Sequence, residues 1–469
     1  MALHCAMRYD LAVIGGGSAG LAAAKFAARM GATVVLVEAE RIGGDCTWTG
    51  CVPSKALIHA ARVSHQARAS GWLGAQSVDF AAVARHVHEA VGCVYAFETP
   101  DSLRAEGVEV VLGRARFVGT RTIEAAGRRL EARRFVVCTG AEPVVPSIPG
   151  LHEAPHLTYL TVFELNELPD RLLVLGGGPT GVELAQAFGR LGSEVTVFDQ
   201  LDRLLAIADP EASAVVEACF RREGVEVVLG AEVARVETGP AGVSVVAGGR
   251  SHHGDALLVA VGRRPRVAEL DLEVIGVRVA KHGIEVDAAL RTSQRHVYAA
   301  GDVTGGPQFT HYAVWQGYAA ARNALFPGQV DGVKRAVPWA VFTDPEVAQV
   351  GLGEAEARAG GHLVSVHRLP VERIDRAQAE GETDGFLKLV TAGGDRLLGA
   401  TIVSAGAADL ANAIVIALDA GGGLSQLARV IPVYPTRGYG MLQLASVVRL
   451  ERAASSRRVR VLSRLLGRR

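Results

Sequence analysis

One pattern of apolar and polar positions occurs twice in the chain. In each copy an apolar run, Leu11–Ile14 or Leu172–Leu175, precedes a glycine-rich turn, a helical stretch over about 18–30 or 179–191, and a second apolar run that ends in a carboxylate. Uninterrupted apolar runs of this length are typical of strands that are buried on both faces of a parallel sheet. The pattern therefore predicts one strand–turn–helix–strand unit, used twice in an α/β fold.

The two copies also share the spacing of their glycines and acids. Each position recurs 161 residues later, which pairs Gly15 with Gly176, Gly17 with Gly178, Gly20 with Gly181, and Glu38 with Asp199. The first glycine permits a tight turn, the second lets the backbone approach a pyrophosphate, and the third lets the helix pack on the strand. The helix N-terminus attracts phosphate, and the terminal acid can accept hydrogen bonds from an adenosine ribose. The repeat therefore predicts two dinucleotide sites of the Rossmann type.

The acid of the second copy bears on which nicotinamide nucleotide is used. A phosphate on the ribose 2′-oxygen would meet like charge at Asp199 and would favour an arginine there. Arg203 lies four residues further on, and an arginine near the ribose would favour NADPH. We expect NADH to be preferred over NADPH.

Two cysteines follow the first repeat closely. Cys46 and Cys51 lie in the stretch GGDCTWTGCVPSK at 43–55, where glycines allow the loop to curl and bring the sulfurs together. Pro53 and Ser54 favour a helix start, which would place Cys51 near a helix N-terminus, where a thiolate is stabilised. The alternatives are two buried structural cysteines or half of a metal site, but no second Cys or His cluster supports zinc. We predict a redox pair beside a flavin and no metal centre.

Composition narrows the class of protein. The 469 residues are 49% hydrophobic and 21% charged, which is typical of globular proteins, and the length suits two to four domains. Because 49 basic residues balance 49 acidic ones, nothing in the overall charge supports nucleic-acid binding. The first residues contain no apolar stretch typical of a signal peptide, and no apolar run is long enough to span a bilayer, so we expect a cytoplasmic protein.

These motifs together resemble a known family. The G-G-x-C-x4-C-V-P-S-K stretch, with the two glycine turns, is similar to the pyridine nucleotide-disulfide oxidoreductases, which include dihydrolipoyl dehydrogenase, glutathione reductase and mercuric reductase. The resemblance covers about residues 8–450. The stretches VPWAVFTDPEVAQVGLGEAEA at 338–358 and DRAQAEGETDGFLKLV at 375–390 most resemble mercuric-reductase-like members.

The resemblance implies roles for individual residues, with FAD and NAD(H) as cofactors. Cys46 would be the interchange sulfur that meets the substrate, and Cys51 the sulfur that faces the flavin. Lys55 would lie near the flavin N5 and pair with Glu183, and Asp302, in VYAAGDVTGG, would bind the ribitol. The segments CTGAEP at 138–143 and AVGRRP at 260–265 would be crossovers between the nucleotide domains, which adds Thr139, Gly140 and Gly262 to the cofactor-binding residues.

The resemblance also implies a domain organisation. Residues 1–145 with 266–335 would form the FAD domain, and residues 146–265 the NAD(P) domain. Residues 336–450 would form an α+β dimerisation domain, so we expect a homodimer. The expected fold is thus two Rossmann-like domains followed by an interface domain.

The implied reaction passes a hydride from NADH to the flavin and then electrons to the Cys46–Cys51 disulfide, whose Cys46 thiolate meets the acceptor. Disulfide-reducing relatives carry a His-Pro-Thr-x-x-Glu stretch from the partner subunit, whereas this chain has Tyr434 and Tyr439 at the His and Glu positions. A phenol is a poor base near neutral pH. His296 and His311 are alternative bases.

Several acceptors therefore stay open. The first hypothesis is an enzyme that reduces a soft metal ion or a small thiol-reactive or quinone-like acceptor, although the C-terminal cysteine pair of mercuric reductases is absent. The second is a dihydrolipoyl dehydrogenase, and a third is a module that delivers electrons to a protein. The last 19 residues carry seven Arg and one Glu, with Arg460, Arg464 and Arg468 on one helical stripe. This tail favours either a solvated terminal helix or weak contact with an anionic membrane surface.

Overall fold

The computed structural model describes residues 8–72, 77–240, 242–334, 336–393 and 395–456, together with residues 459, 461 and 465. The chain forms two compact units. The first comprises Met1–Gly176, Ala187–Thr196 and Glu232–Arg335, and the second comprises Gly177–Gln186, Val197–Ala231 and Ala336–Arg469. The domain boundaries expected from the family resemblance stay a prediction.

The helices and strands follow one another along the chain in three stretches. The first are β1 (Arg8–Ile14), α1 (Ser18–Arg29), β2 (Val34–Glu38), α2 (Gly44–Trp48), α3 (Cys51–Ala69), α4 (Phe80–Tyr95), α5 (Pro100–Ala105), β3 (Val108–Leu112), β4 (Arg116–Gly119), β5 (Thr122–Ala125), β6 (Arg128–Val137) and β7 (Ala141–Pro143). Next come β8 (Arg171–Leu175), α6 (Pro179–Leu191), β9 (Glu194–Asp199), α7 (Pro210–Arg222), β10 (Glu226–Leu229), β11 (Val233–Gly239), β12 (Gly242–Ala247), β13 (Arg250–Gly254), β14 (Ala256–Val259), β15 (Arg263–Pro265), β16 (Val279–Ala280), β17 (Gly283–Ile284), β18 (Val297–Ala299) and α8 (Thr310–Leu325). The last are β19 (Trp339–Val341), β20 (Glu346–Gly351), α9 (Glu354–Ala359), β21 (Val364–Pro370), α10 (Asp375–Glu380), β22 (Phe386–Ala392), β23 (Arg396–Ser404), α11 (Ala407–Asp419), α12 (Leu424–Leu427) and α13 (Tyr439–Ser455).

The first repeat builds the centre of a seven-stranded sheet. The strand order is β3-β2-β1-β6-β5-β4, and β18 also pairs with β6. Strand β1 pairs in parallel with both β2 and β6, and its residues Leu11–Val13 are fully buried, as an apolar run in a covered parallel sheet requires. The predicted strand, helix and second strand of this copy are confirmed as β1, α1 and β2.

Two alanine-rich helices pack closely in this unit. A Cβ on Gly317 of α8 would lie 2.2 Å from the carbonyl oxygen of Ala19 in α1, so the two backbones can approach only because residue 317 is glycine. A Cβ on Gly301, just beyond the carboxyl end of β18, would lie 3.2 Å from the Cβ of Ala19 and 3.3 Å from that of Ala313. The first turns of α1 and α8 therefore lie near the carboxyl end of the parallel sheet, where ligands bind in α/β folds.

The second repeat also forms the predicted elements. Strand β8 and helix α6 match the expected apolar run and helical stretch, and β9 ends at Asp199. Strand β8 pairs in parallel with β14, with Leu173 opposite Leu257. Within the first unit, β11, β12 and β13 form a separate antiparallel sheet.

The second unit contains a five-stranded antiparallel sheet with the order β19-β20-β23-β22-β21. Its buried apolar residues, such as Leu387, Leu389 and Ile402, form one core with Ile414 of α11 and Leu444 of α13. The expected α/β fold with a C-terminal α+β part is therefore confirmed.

Most of the basic tail, including Arg460, Arg464 and Arg468, lies outside the described residues, so the stripe predicted there is not tested. None of the helices in the described part of the chain combines the length and the apolarity that crossing a lipid bilayer requires.

Candidate active site

The first glycine turn has the close approaches that its spacing predicts. Gly15 has a φ of +103°, and a Cβ there would lie 2.3 Å from the carbonyl oxygen of Cys138. A Cβ on Gly20 would lie 1.8 Å from the carbonyl oxygen of Gly15. Gly176 repeats the first arrangement, with a φ of +109° and a Cβ position 2.5 Å from the carbonyl oxygen of Ala260. These glycines are required by the protein backbone itself.

The second glycine of each turn is different. A Cβ on Gly17 would make only an ordinary contact of 3.7 Å, with the Cα of Gly44, and a Cβ on Gly178 would meet no described atom within 4 Å. Packing within the described residues therefore does not require glycine at either position. A bound pyrophosphate that approaches the backbone does require it.

The terminal acids brace the glycine turns in the same way in both repeats. Glu38 accepts a hydrogen bond from the backbone N–H of Gly16 at 2.6 Å, and its second oxygen accepts one from Glu40 at 2.7 Å. Asp199 accepts hydrogen bonds from Gly177 at 2.7 Å and from Leu201 at 2.8 Å. A carboxylate with four acceptor sites keeps capacity for ribose hydroxyl groups after these two bonds.

The start of helix α1 fits an anionic cofactor. Its N-cap is Gly17, no side chain caps it, and its first turn contains no acidic residue. The backbone N–H groups and the positive end of the helix dipole are therefore available to a phosphate. The residues in the first unit thus fit the FAD that the family resemblance implies.

The cysteine loop lies against the first glycine turn. The N–H of Gly43 donates to the carbonyl oxygen of Gly16 at 2.9 Å, and a Cβ on Gly44, whose φ is +60°, would lie 2.7 Å from the Cα of Gly17. Cys46 lies in the short helix α2, where the sequence predicted a loop, and Cys51 is the first residue of α3, near the helix start that Pro53 and Ser54 predict.

The two sulfurs differ in their polar surroundings. The Cys51 Sγ lies 3.1 Å from the Oγ1 of Thr310, which is the first residue of α8. The hydrogen bond with Cys51, and then burial, raise the pKa of Cys46 well above its ordinary value. The Glu98 carboxylate, which accepts a hydrogen bond from Thr47 at 2.8 Å, adds to this increase. Cys51 is the first residue of α3 and lies beside the first residue of α8, and helix N-termini favour negative charge.

The two crossover segments lie side by side. Strand β7 pairs with β15 in antiparallel fashion, with Pro143 opposite Arg263. The Oγ1 of Thr139 donates to the carbonyl oxygen of Arg266 at 2.6 Å, and the carbonyl oxygen of Gly140 accepts from the N–H of Arg266. The carbonyl oxygen of Gly262 accepts a hydrogen bond from the N–H of Val144.

Asp302 follows β18 and begins a single 3-10 turn. Its Oδ2 accepts a hydrogen bond from Arg263 at 2.6 Å, and no donor among the described residues is directed at its Oδ1. Burial raises the pKa of Asp302, and the Arg263 charge opposes that change. The uncommitted oxygen suits the ribitol hydroxyl that was predicted for this residue.

The predicted residues Glu183 and Lys55 lie on the helices that follow the second glycine turn and the cysteine loop, respectively. Glu183 of α6 is buried, and its Oε1 accepts a hydrogen bond from the N–H of Phe342 at 2.8 Å. Gly181 lies in the same helix, and Lys55 lies in the first turns of α3. The pairing of Lys55 with Glu183 stays a prediction.

Tyr434 lies on the surface of the second unit. Its hydroxyl donates to Asp375 Oδ2 at 2.7 Å, and its ring meets that of Tyr439 edge to face at 5.3 Å. The hydrogen bond to Asp375 raises the pKa of Tyr434, which moves the phenol further from the range of a useful base.

The alternative bases have packing partners. The Nε2 of His296 lies within hydrogen-bonding distance of the carbonyl oxygen of Thr120, and burial lowers its pKa. His311 stacks on Phe309 with ring centroids 5.6 Å apart. Among the residues that the structure describes, no three His, Cys, Asp or Glu side chains converge as a metal site.

Sequence reasoning missed the residues that surround the predicted ones, namely Asp45, Glu98, Tyr159, Arg263 and Thr310. Asp45 lies in the cysteine stretch at 43–55 and Arg263 in the crossover segment at 260–265. The charged residue next to Cys46 could therefore have been recognised from the sequence as a candidate for an ion pair. Thr310 and Glu98 are 259 and 51 residues from their partners Cys51 and Thr47, and no local pattern marks them.

Comparisons with known proteins agree with this geometry. Residues 9–317 match the family model described as pyridine nucleotide-disulphide oxidoreductase, and residues 337–443 match its dimerisation domain. A mercuric reductase from Bacillus cereus is 36% identical over 423 residues, which cover 88% of this chain and 67% of that protein. A dihydrolipoyl dehydrogenase from Thermus scotoductus is 37% identical over 438 residues, 89% of this chain and 92% of that protein.

A solved structure of a flavoprotein disulfide reductase has a similar fold. The HOCl-induced flavoprotein disulfide reductase RclA from Escherichia coli has a TM-score of 0.86 and 31% sequence identity, and the match covers 94% of this chain and 100% of that one. A second structure of that protein is its Cu(II) complex.

Proposed function

The chain belongs to the pyridine nucleotide-disulphide oxidoreductase family, and from that premise we propose that it is an NADH-dependent flavoenzyme whose Cys46–Cys51 pair reduces a soft metal ion or a small thiol-reactive or quinone-like acceptor. Gly17, Glu38 and Asp302 would hold FAD, which when bound supplies two-electron exchange between a nicotinamide and a cysteine pair. The observation that carries the proposal is the position of Cys51, at the N-terminus of α3 and 3.1 Å from Thr310 at the N-terminus of α8.

The raised pKa of Cys46 in the reduced pair supports a metal ion as the electron acceptor. With the proton held on Cys46, a soft cation can bind both sulfurs and displace that proton to solvent, because thiolates are the ligands soft metals prefer. The two sulfurs then pass two electrons to the acceptor, either to one Hg(II) ion that becomes Hg(0) or to two Cu(II) ions that become Cu(I), and form the Cys46–Cys51 disulfide. A hydride equivalent from NADH restores the singly protonated dithiol. No general base with a pKa near neutrality is needed for that binding step.

Exchange with an organic disulfide has a different requirement. The proton that moves between Cys46 and the substrate sulfur needs a base that titrates near neutral pH. Tyr434, hydrogen-bonded to Asp375 with a raised pKa, does not supply one. The relatives named mercuric reductase and the Cu(II) complex of RclA are consistent with metal ions as acceptors.

An acceptor screen tests the proposal. We expect NADH-dependent reduction of Hg(II), Cu(II) or a quinone, and NADH-dependent reduction of lipoamide at least about a hundredfold slower, because the base is missing. Reduction of lipoamide at the rate of an ordinary dihydrolipoyl dehydrogenase would contradict the proposal and favour that second function, which the Thermus scotoductus relative represents. Slow turnover with every small acceptor and fast turnover with one protein would favour an electron-transfer module.

Matched variants of Tyr434 complete that screen. Tyr434→His should raise lipoamide turnover about tenfold or more, because an imidazole titrates near neutral pH. Tyr434→Phe keeps the ring, removes the hydroxyl and should leave lipoamide turnover at the wild-type level.

We also propose the organisation expected from the sequence. Residues 1–145 and 266–335 bind FAD, residues 146–265 bind the nicotinamide nucleotide, and residues 336–450 pair two copies of the chain into a homodimer. Within that homodimer, Tyr434 of each copy would face the Cys46–Cys51 pair of the other. The match to a dimerisation domain supports the homodimer.

Nucleotide preference gives a separate prediction. NADH should have a specificity constant at least about tenfold higher than that of NADPH, because the Asp199 carboxylate repels a 2′-phosphate. Asp199→Ser should reduce this ratio, whereas the same change at Asp202, which is exposed, should not. Steady-state kinetics with both nucleotides measures the ratio, and a higher specificity constant for NADPH in the wild type would overturn the assignment.

A further inference from the structure

One arginine joins three segments that are far apart in the chain. Arg263 donates from Nη2 to Asp45 Oδ2 at 2.6 Å and from Nη1 to Asp302 Oδ2 at 2.6 Å. Its Nε lies 3.4 Å from the hydroxyl of Tyr159, which itself donates to Asp45 Oδ2 at 3.0 Å. We call Arg263, Asp45, Asp302 and Tyr159 the Arg263 clamp.

The clamp is mostly buried, which makes its charges consequential. The side chain of Arg263 is 24% exposed, that of Asp45 26% and that of Asp302 14%. Burial raises the pKa of Tyr159, so the phenol stays neutral. One guanidinium is therefore the shared counter-charge of two carboxylates in a site with little access to water, and its loss would leave both without it.

Each arm of the clamp ends at a different part of the active site. Asp45 immediately precedes Cys46, and its carbonyl oxygen accepts a hydrogen bond from the N–H of Thr49 inside the cysteine loop. Asp302 is the carboxylate that we propose binds FAD, and no donor among the described residues is directed at its Oδ1. Arg263 lies on β15, and the pairing of β15 with β7, which places Arg263 opposite Pro143, fixes the position of its backbone.

We propose that Arg263 is a positioning residue that holds the cysteine loop, through Asp45, in register with the FAD-binding carboxylate of Asp302. The proposal rests on the proposed role of Cys46 and FAD. A planar guanidinium with donors on three nitrogens can bridge two carboxylates in a fixed fork geometry, which the single nitrogen of a flexible lysine side chain does not reproduce. The separation of the cysteine pair from the cofactor is then determined by this one side chain.

The test uses two readouts that need no acceptor. One is the dissociation constant of FAD, and the other is the rate at which iodoacetamide alkylates Cys46 in the dithiol form, followed by mass spectrometry. Arg263→Met should weaken FAD binding about tenfold and change the alkylation rate at least about fivefold, because both carboxylates lose their partner. Asp45→Asn should change the alkylation rate alone.

Matched variants separate positioning from a general loss of structure. Arg264→Met alters the next residue, whose ion pair with Glu142 is exposed, and should change neither readout. Arg263→Lys keeps the charge and should restore FAD binding while the alkylation rate stays altered. If the methionine variant does not fold, the lysine variant alone carries this test.

The double variant provides the decisive comparison. Asp45→Asn combined with Arg263→Met should alkylate at the rate of Asp45→Asn alone, because both changes act on one connection. Additive effects on alkylation, or an Arg263→Met variant that matches the wild type in both readouts, would overturn the clamp. A failed acceptor screen would contradict the proposed acceptor and leave these measurements intact.

Discussion

Replacing Cys46 by serine should reduce NADH-dependent turnover of metal-ion and thiol-reactive acceptors roughly a thousandfold or more, because a serine hydroxyl neither ionises near neutral pH nor exchanges with sulfur. FAD should remain bound, since Cys46 is not among the residues that fit the cofactor. Stopped-flow reduction by NADH, followed by steady-state turnover, separates the two steps: the flavin should still bleach while the acceptor is no longer consumed.

The matched control is Cys93→Ser. Cys93 is an exposed thiol on α4, so the same change there tests nonspecific effects of removing a cysteine. Its turnover should equal that of the wild type. Full acceptor turnover by the Cys46→Ser variant would show that electrons leave the protein without the cysteine pair, and the proposed function would then be wrong.

Lys388→Met should lower the free energy of unfolding at neutral pH by about 3 kcal/mol, the usual cost of breaking a buried ion pair. The Lys388 side chain is 3% exposed and donates to Asp209 at 2.7 Å and to Glu211 at 2.8 Å. It also lies 3.1 Å from Glu354. Without the ammonium, the Asp209 carboxylate, 7% exposed, remains buried without its cation.

The loss of unfolding free energy caused by Lys388→Met should become smaller as the pH falls. Hydrogen bonds from Arg368 and then from Lys388 lower the pKa of Glu211 to about 2, and hydrogen bonds from Arg358 and then from Lys388 also lower that of Glu354. Carboxylates with lowered pKa values stabilise the fold above the pKa of the unfolded chain, about 4.3 for glutamate, and this stabilisation is lost as the pH falls toward 2. The difference between wild type and Lys388→Met should therefore narrow between about pH 7 and about pH 3.

Denaturant unfolding at both pH values measures this difference. Lys25→Met is the control, because the Lys25–Glu106 pair spans a similar 2.8 Å but its side chains are 26% and 28% exposed. Because water reaches the Lys25–Glu106 pair, its loss should lower the free energy of unfolding less than loss of the almost fully buried Lys388. An equal loss of stability in the two variants would show that burial of Lys388 has no special effect.

The predicted repeat was correct because its signals are local. Gly15 and Gly176 are required by backbone geometry within one turn, and the apolar runs of β1 and β8 report burial residue by residue. The place of Cys51 at the start of α3 follows from Pro53 and Ser54 in the same way. Such features depend on a few neighbouring residues, so a single sequence contains them.

The surroundings of the cysteine pair were not predictable in this way. The contacts Cys51–Thr310 and Arg263–Asp45 join residues 259 and 218 positions apart. Spacing along the chain carries no information on which side chains meet across a sheet edge, since packing of whole elements decides it. The sequence suggested that Glu38 and Asp199 bind ribose, but it did not predict that they also accept hydrogen bonds from the N–H groups of Gly16 and Gly177.

By itself, the amino-acid sequence determined the duplicated strand–turn–helix unit, the acids at the strand ends and the cysteine pair with its helix, because each is written in residues that are close together along the chain. Only the tertiary structure decided that Thr310 faces Cys51, that Arg263 bridges Asp45 and Asp302, and that the Tyr434 phenol is bound to Asp375. Those partners are chosen by the packing of distant elements, which minimises buried unpaired charge only once the whole fold has formed.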